Sequence, residues 1–472
     1  MKTTLILALA ATAAFAQGPL APTGPPMGTG KSLQQIFDKA EGAETNAANA
    51  LANAASASAR AEKRIPISAL PFTITQPGSY YLTVNLTASA ASDTIRVEAS
   101  DVSIDLNGFT LDGAGFFGTA ITASNSILHR TRIFNGNIVR FSYAIYFDAV
   151  TASEHSVERV SVDCVYGGFS LGGRSMVKNC RVLGGGGGIS VGSDSEVADC
   201  VVHISAGNGV NIASGIVRGV VARNTSGVVA GSTGISASGR ANIETCSVQG
   251  FATGVFTPDG AVRDCTVTAG NTGVLVYGSG SVSGCTVDSS EPTYGTLVGI
   301  RVVSGSVSGC VVQRFATGIS CDGSGRIENC AVRDVGTCGI SSAIGSSVTR
   351  CSVRDSGGFG ISVGSSSTVS ECIAHQNSTA GIRVSGSSIV RDNECTNNNI
   401  GVRCEGGGGN RIEGNSIASN TYGIRFFVGN NAAFKNTLYV NIVHVDGSAG
   451  NQVAPLENAG TSTNPWSNLQ LF

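Results

Sequence analysis

Charge is scarce in this chain. Asp, Glu, Lys and Arg make up 13% of its residues, and the formal net charge is −2 at pH 7. There is therefore no basic field for nucleic acid, and no basic patch interleaved with aromatics. Aromatic residues amount to 6%, with a single tryptophan, Trp466, so a core must be filled by small branched side chains. Strong helix formers thin out after Ser68, which argues against a helical bulk. No Walker loop, Ser-His-Asp elbow, HExxH or EF-hand loop occurs. The glycine runs Gly184–Gly188 and Gly406–Gly409 lack the flanking helix a phosphate loop needs. Beyond the N-terminus, no apolar stretch approaches membrane length.

What is present is a phrase that returns about every twenty residues. It reads apolar-x-x-Cys-x-apolar, a turn, then Gly-Ile/Val-x-apolar. Examples are Val282–Cys285–Val287, Val307–Cys310–Val312 and Ile327–Cys330–Val332, interleaved with Gly299-Ile300, Gly318-Ile319 and Gly339-Ile340. Apolar residues alternate within each phrase, which is strand periodicity. The unit is too short for two helices, and Val, Ile, Ser, Thr and Gly dominate it. Each unit predicts two or three short strands separated by Gly/Ser/Asn turns. One coil cannot bury its own inward face, whereas coils stacked about 4.8 Å apart bury a continuous column. The expectation is an all-β parallel solenoid of about 14 coils of roughly 20–22 residues. Inward slots should repeat their residue type from coil to coil. The Cys slot is taken by Asn393 and Asn415 near the end, and by Gly136, Val160 and Val220 earlier.

The segments Asn415–Phe426, Val102–Leu111 and Pro71–Leu82 resemble, in turn, the repeat, first full coil and capping strand of right-handed parallel β-helix proteins of the pectin lyase-like class. The likeness spans roughly Ile65 to Asn451. It specifies fold more than function, because the class hosts lyases, hydrolases, esterases, epimerases and adhesins.

The chain divides by composition. Residues 1–16 read as a signal peptide, with Lys2, an apolar Leu5–Ala14 core and Ala14-Phe15-Ala16 as the cleavage site. This implies a secreted protein, extracellular or periplasmic, with no transmembrane segment. Residues 17–30 form a Pro/Gly linker, and 31–64 an Ala-rich helical segment that could serve homo-oligomerisation. Residues 65–100 read as N-terminal cap strands, 101–430 as the β-helix and 431–472 as a C-terminal cap with Trp466 packed on the last coil. A sugar-stacking Trp466 is the alternative. The 14 cysteines read as mostly free: in-register Cβ vectors run parallel, and seven consecutive ladder cysteines cannot all pair. No metal site is implied, since Cys-x-x-Cys is absent and no His accompanies the ladder. No cofactor is implied either.

In the resembling class, chemistry sits on the outer face of one strand stack, and the Gly-Ile-x-Val strand corresponds to it. Its outward x positions run Ser190, Asn211, Ser236, Phe256, Leu275, Arg301, Ser320, Ser341, Ser362, Arg383, Arg403 and Arg425. Like charges on adjacent strands repel, so the trio Arg383, Arg403 and Arg425 suggests an anionic partner, with Glu405 as a nearby counterion. Arg333-Asp334, Arg354-Asp355 and His375 form a second cluster in the preceding turns, readable as an acid/base group or as a surface ion-pair ladder. The signatures of polygalacturonases, pectate lyases and pectinesterases are missing, and the column read this way holds no carboxylate. The reading is an exported β-helix that binds or scaffolds acidic polysaccharide; the alternative is a polysaccharide lyase, glycoside hydrolase or uronate epimerase.

Overall fold

The computed structural model describes residues 33–59, 64–92, 94–115, 118–123, 127–147, 153–290, 297–447 and 449–471. The expected signal peptide and linker lie outside these residues. The chain divides into two compact units, residues 1–63 and 64–472. In the first, a helix spans Leu33–Ala59, and its side chains from Asp38 to Ala52 are exposed. Among the described residues no helix is long and apolar enough to cross a membrane.

The second unit is a parallel β-solenoid of about 17 turns. A representative coil has a first strand Thr317–Cys321, a second Gly325–Glu328 and a third Ala331–Val335; the next coil opens with Cys338–Ser342. Each strand pairs in parallel with its equivalent one coil on: Ile319 with Ile340, Ile327 with Val348, Val332 with Val353. These inward positions are fully buried and form one continuous apolar cluster along the axis. Its burial supplies the main stabilising term.

The recurring phrase has a geometric cause at both ends. Between the second and third strands one residue per coil is left-handed, as in Thr245 (φ 53°), Asp264 (φ 52°), Gly284 (φ 63°), Gly309 (φ 61°) and Asn329 (φ 53°). Gly, Asn and Asp tolerate that region best, and the residue that follows is thrown inward. That residue is the ladder cysteine. The glycine before Ile or Val answers a different demand. A Cβ on Gly273 would lie 2.1 Å from Val287 Cγ1 and 2.5 Å from the Gly299 carbonyl oxygen, so only a bare backbone fits between the coils.

All fourteen cysteines are buried and free. Ladder sulfurs donate to carbonyls two residues back, such as Cys285 to Ser283 at 3.3 Å. Where the ladder turns to asparagine, the bonding strengthens. Asn415 Oδ1 accepts from the Asn393 backbone N–H at 3.0 Å and the Asn393 amide at 2.9 Å, while Asn415 Nδ2 donates to Val390 O at 3.0 Å and Asn436 Oδ1 at 2.9 Å. Two further ladders run at the other turns. One joins Ser356, Asn377, Asn398, Asn420 and Asn441; the other joins Ser346, Ser367, Ser388, Asn410 and Asn431.

The expected count of coils is too low. Strands before residue 101 already pair in solenoid register, Phe72 with Ile95 and Ile95 with Ile121. Beyond residue 430, Ala432 pairs with Arg411 and Asp446 with Arg425. The end coils lack the Cys and Gly-Ile phrases that reveal the middle ones. Trp466 packs edge-on against Phe434, ring centres 5.8 Å apart, with Lys435 Nζ 4.3 Å from its own ring centre, yet stays 56% exposed.

Candidate functional site

The first-strand stack sets one outward side chain per coil on a single line. Register follows the sequence expectation at every step from Ser190 through Phe256 and Arg301 to Arg425. Arg383, Arg403 and Arg425 are direct neighbours on adjacent strands. The line does not end there. Val443–Gly447 adds another strand and places Asp446 beside Arg425. The column therefore does contain a carboxylate, which was hidden because this strand carries His444 where the phrase has glycine.

Repulsion among the arginines is relieved by two acids. Glu405 bridges Arg383 Nε at 2.5 Å and Arg403 Nε at 2.6 Å, and Asp446 takes Arg425 Nε at 2.9 Å. Partial burial raises the Glu405 carboxyl, but its hydrogen bonds to Arg383 and Arg403 outweigh this and hold it below the usual carboxylate value. Arg383 also donates to Ser362 Oγ at 3.0 Å. Three aromatic rings frame the line. Arg425 lies 4.1 Å from the Tyr422 ring centre, Arg403 4.3 Å from Phe427 and Arg383 5.7 Å from Phe359. Phe359 and Tyr422 open their strands and Phe427 follows its own, so the rings bound the arginines on both sides. Phe427 stands two residues beyond Arg425, a same-face spacing that could have signalled it.

Residues 167–314 and 317–460 match the family model described as the right handed beta helix region, more than half of the chain. The chain belongs to this β-helix family. A search of curated proteins finds no match. Among solved structures, this β-helix is similar to the A-module of the mannuronan C-5 epimerase AlgE6 of Azotobacter vinelandii (14% identity, TM-score 0.15, 83% of this chain and 90% of that one). It is also similar to tailspike protein 3 of bacteriophage CBA120 (11% identity, TM-score 0.23, 86% and 61%). A third is the tailspike receptor binding domain of siphovirus 9NA (11% identity, TM-score 0.18, 80% and 74%). At these scores the likenesses carry no argument; the family match and the strand register carry the fold.

The remaining expected site residues of this β-helix lie apart from the arginine trio. Arg301 stands on the same line but pairs with Asp322 at 2.7 Å, separated from the trio by three serines. Arg333, Arg354 and His375 stack on the third strand, a different face of the coil. There Arg333 Nε donates to Gln313 Oε1 at 2.8 Å, and His375 Nδ1 meets Thr396 Oγ1 at 2.9 Å. Asp334 and Asp355 occupy left-handed positions (φ 54° and 58°) next to the last residue of their strands, which accounts for their residue type. Arg354 makes a 4.0 Å contact with Asp355. No hydrogen bond or ion pair among the described residues joins this group to the arginine line.

Proposed function

We propose that this β-helix is an exported protein that binds carboxylated polysaccharide along the outer line Arg383, Arg403 and Arg425. What supports the reading is the composition of that line. Three guanidinium groups on adjacent strands face two carboxylates, which leaves one positive charge in excess. Strand spacing is about 4.8 Å, close to the length of one sugar unit. Guanidinium forks suit carboxylates and vicinal hydroxyls alike, and Phe359, Tyr422 and Phe427 offer apolar surface to sugar ring faces. Each exposed contact contributes on the order of 0.5–1 kcal/mol, so binding is weak, multivalent and salt-sensitive.

An enzyme of the polysaccharide lyase, hydrolase or epimerase kind is the second reading. The observation in its favour is that two carboxylates, Glu405 and Asp446, stand on the line. Glu405, with its lowered pKa, is a poor proton donor near neutral pH, and this favours binding over acid catalysis. The test is affinity electrophoresis through polygalacturonate and alginate at low salt, with unsaturated products and reducing ends monitored in parallel. Wild type should be retarded. The triple variant Arg383→Ser, Arg403→Ser, Arg425→Ser should migrate freely with unchanged thermal unfolding. Wild-type protein that passes both gels unretarded refutes the binding reading, and product release with turnover replaces it with the enzyme.

A further inference from the structure

We infer a second saccharide site, for a neutral sugar, where the third strand turns into the first between residues 140 and 205. Its floor is set by an absence of side chains. Gly184, Gly185 and Gly186 lie over the carbonyls of Cys164, Val165 and Tyr166, and a Cβ on any of them would come within 2.3–2.7 Å of those oxygens. The glycine run is thus a requirement of close coil contact, and it leaves a cleft of about 520 Å³ above it. Asp163 and His203 face the cleft two coils apart on one column, with Leu183 between them. Neither the Asp163 carboxylate nor the His203 ring has a hydrogen-bond or ion-pair partner among the described residues. Burial, then the charges of Arg223 and Arg181, hold the His203 ring below the usual histidine pKa, so it is neutral at pH 7. Arg140, the one cation lining the cleft, is engaged by Asp112.

Beside the cleft, through Val165 and Tyr166, lies a tyrosine platform. Tyr143 sits 5.8 Å from Tyr146 and 6.2 Å from Tyr166, centre to centre. The three are 40%, 41% and 50% exposed. Tyr143 lies across Gly167 of the next coil, where a Cβ would meet its ring at 2.9 Å. The rings are therefore part-exposed to solvent on two adjacent coils. Aromatic faces are electron-rich and attract the polarised C–H groups on one face of a hexose. An unpaired carboxylate and a neutral imidazole nearby accept and donate to hydroxyls. Asp163 stands at the tyrosine end of the cleft and disfavours an anion there, whereas Arg223 follows His203 on the same column, three coils from Asp163. At the tyrosine end a neutral hexose oligomer fits these groups better than a carboxylated one.

The probes are cellohexaose, mannohexaose and maltohexaose at millimolar concentration, followed by isothermal titration and by chemical-shift changes of tyrosine ring protons. At least one should bind the wild type. The double variant Tyr143→Ala, Tyr166→Ala should weaken it about tenfold, and Asp163→Asn should weaken it by a smaller factor without disturbing the fold. The triple arginine-to-serine variant should bind these probes like wild type, which separates this site from the arginine line. Failure of all three oligosaccharides to bind overturns the inference. So does binding that ignores the tyrosine changes, or a tyrosine-dependent preference for polygalacturonate.

Discussion

At the level of single residues, the ladders turn side-chain chemistry into stability. Replacing Cys285 with valine should be nearly neutral, since both fill a small apolar slot. Aspartate there should cost several kcal/mol by burying an unpaired charge. The asparagine slots are less forgiving. Asn415→Ala strips the partners from the Asn393 N–H and the Val390 carbonyl, at a cost of about 2–5 kcal/mol. Asn415→Cys should cost less, because Cys372 already fills the equivalent slot and accepts from the Cys351 N–H at 3.4 Å. Chemical denaturation of the pair checks the order. His155 gives a pH signature. It is buried against Phe147 at 5.1 Å, its Nε2 has no partner among the described residues, and burial, with His129 nearby, lowers its pKa from 6.5 to about 4. The fold keeps the ring neutral, so between those values only the unfolded chain takes up the proton. This contribution is complete above pH 6.5 and is lost as the pH falls toward 4, about 3 kcal/mol in all. Unfolding midpoints taken from pH 7.5 to 4.5 should fall for wild type and stay flatter for His155→Asn; equal slopes would dismiss the ring as the cause.

At the level of strands, the Gly-Ile-x-Val phrase made the outward line legible, because glycine and the inward Ile fix which residue faces out. Arg383, Arg403 and Arg425 could be placed side by side for that reason. Asp446 escaped, since Asn441–Asp446 has neither the glycine nor the cysteine phrase. The aromatic frame escaped because Phe359 and Tyr422 sit at strand openings, where inward and outward are set by turn geometry rather than alternation. The serine and asparagine ladders at the other two turns were invisible for a plainer reason: Ser and Asn are frequent throughout the turns of this chain, so the inward ones carry no distinguishing mark. One prediction belongs to this level. Glu405 occupies two of the three arginines, so Glu405→Gln should strengthen polygalacturonate retention and steepen its salt dependence. Weaker retention in the variant would mean that the carboxylate itself contacts the sugar.

For the whole molecule, the repeat announced the solenoid but not its length, because end coils are atypical by necessity. The helix Leu33–Ala59 followed from alanine content and helical spacing, and its exposed middle shows why composition alone could not say what it serves. The buried thiols carry a further consequence. Fourteen free cysteines are safe only while the coils stay stacked. Cys164 and Cys338 are pushed up to about 12 by burial and do not react as thiolates in the fold. Once the coils separate, every thiol regains an ordinary pKa and meets the others at random, so oxidation traps the opened chain in scrambled crosslinks. Melting should therefore be a one-way passage in air, with refolding recovered only under reductant, and the working lifetime of the protein is set by how rarely it opens rather than by an equilibrium.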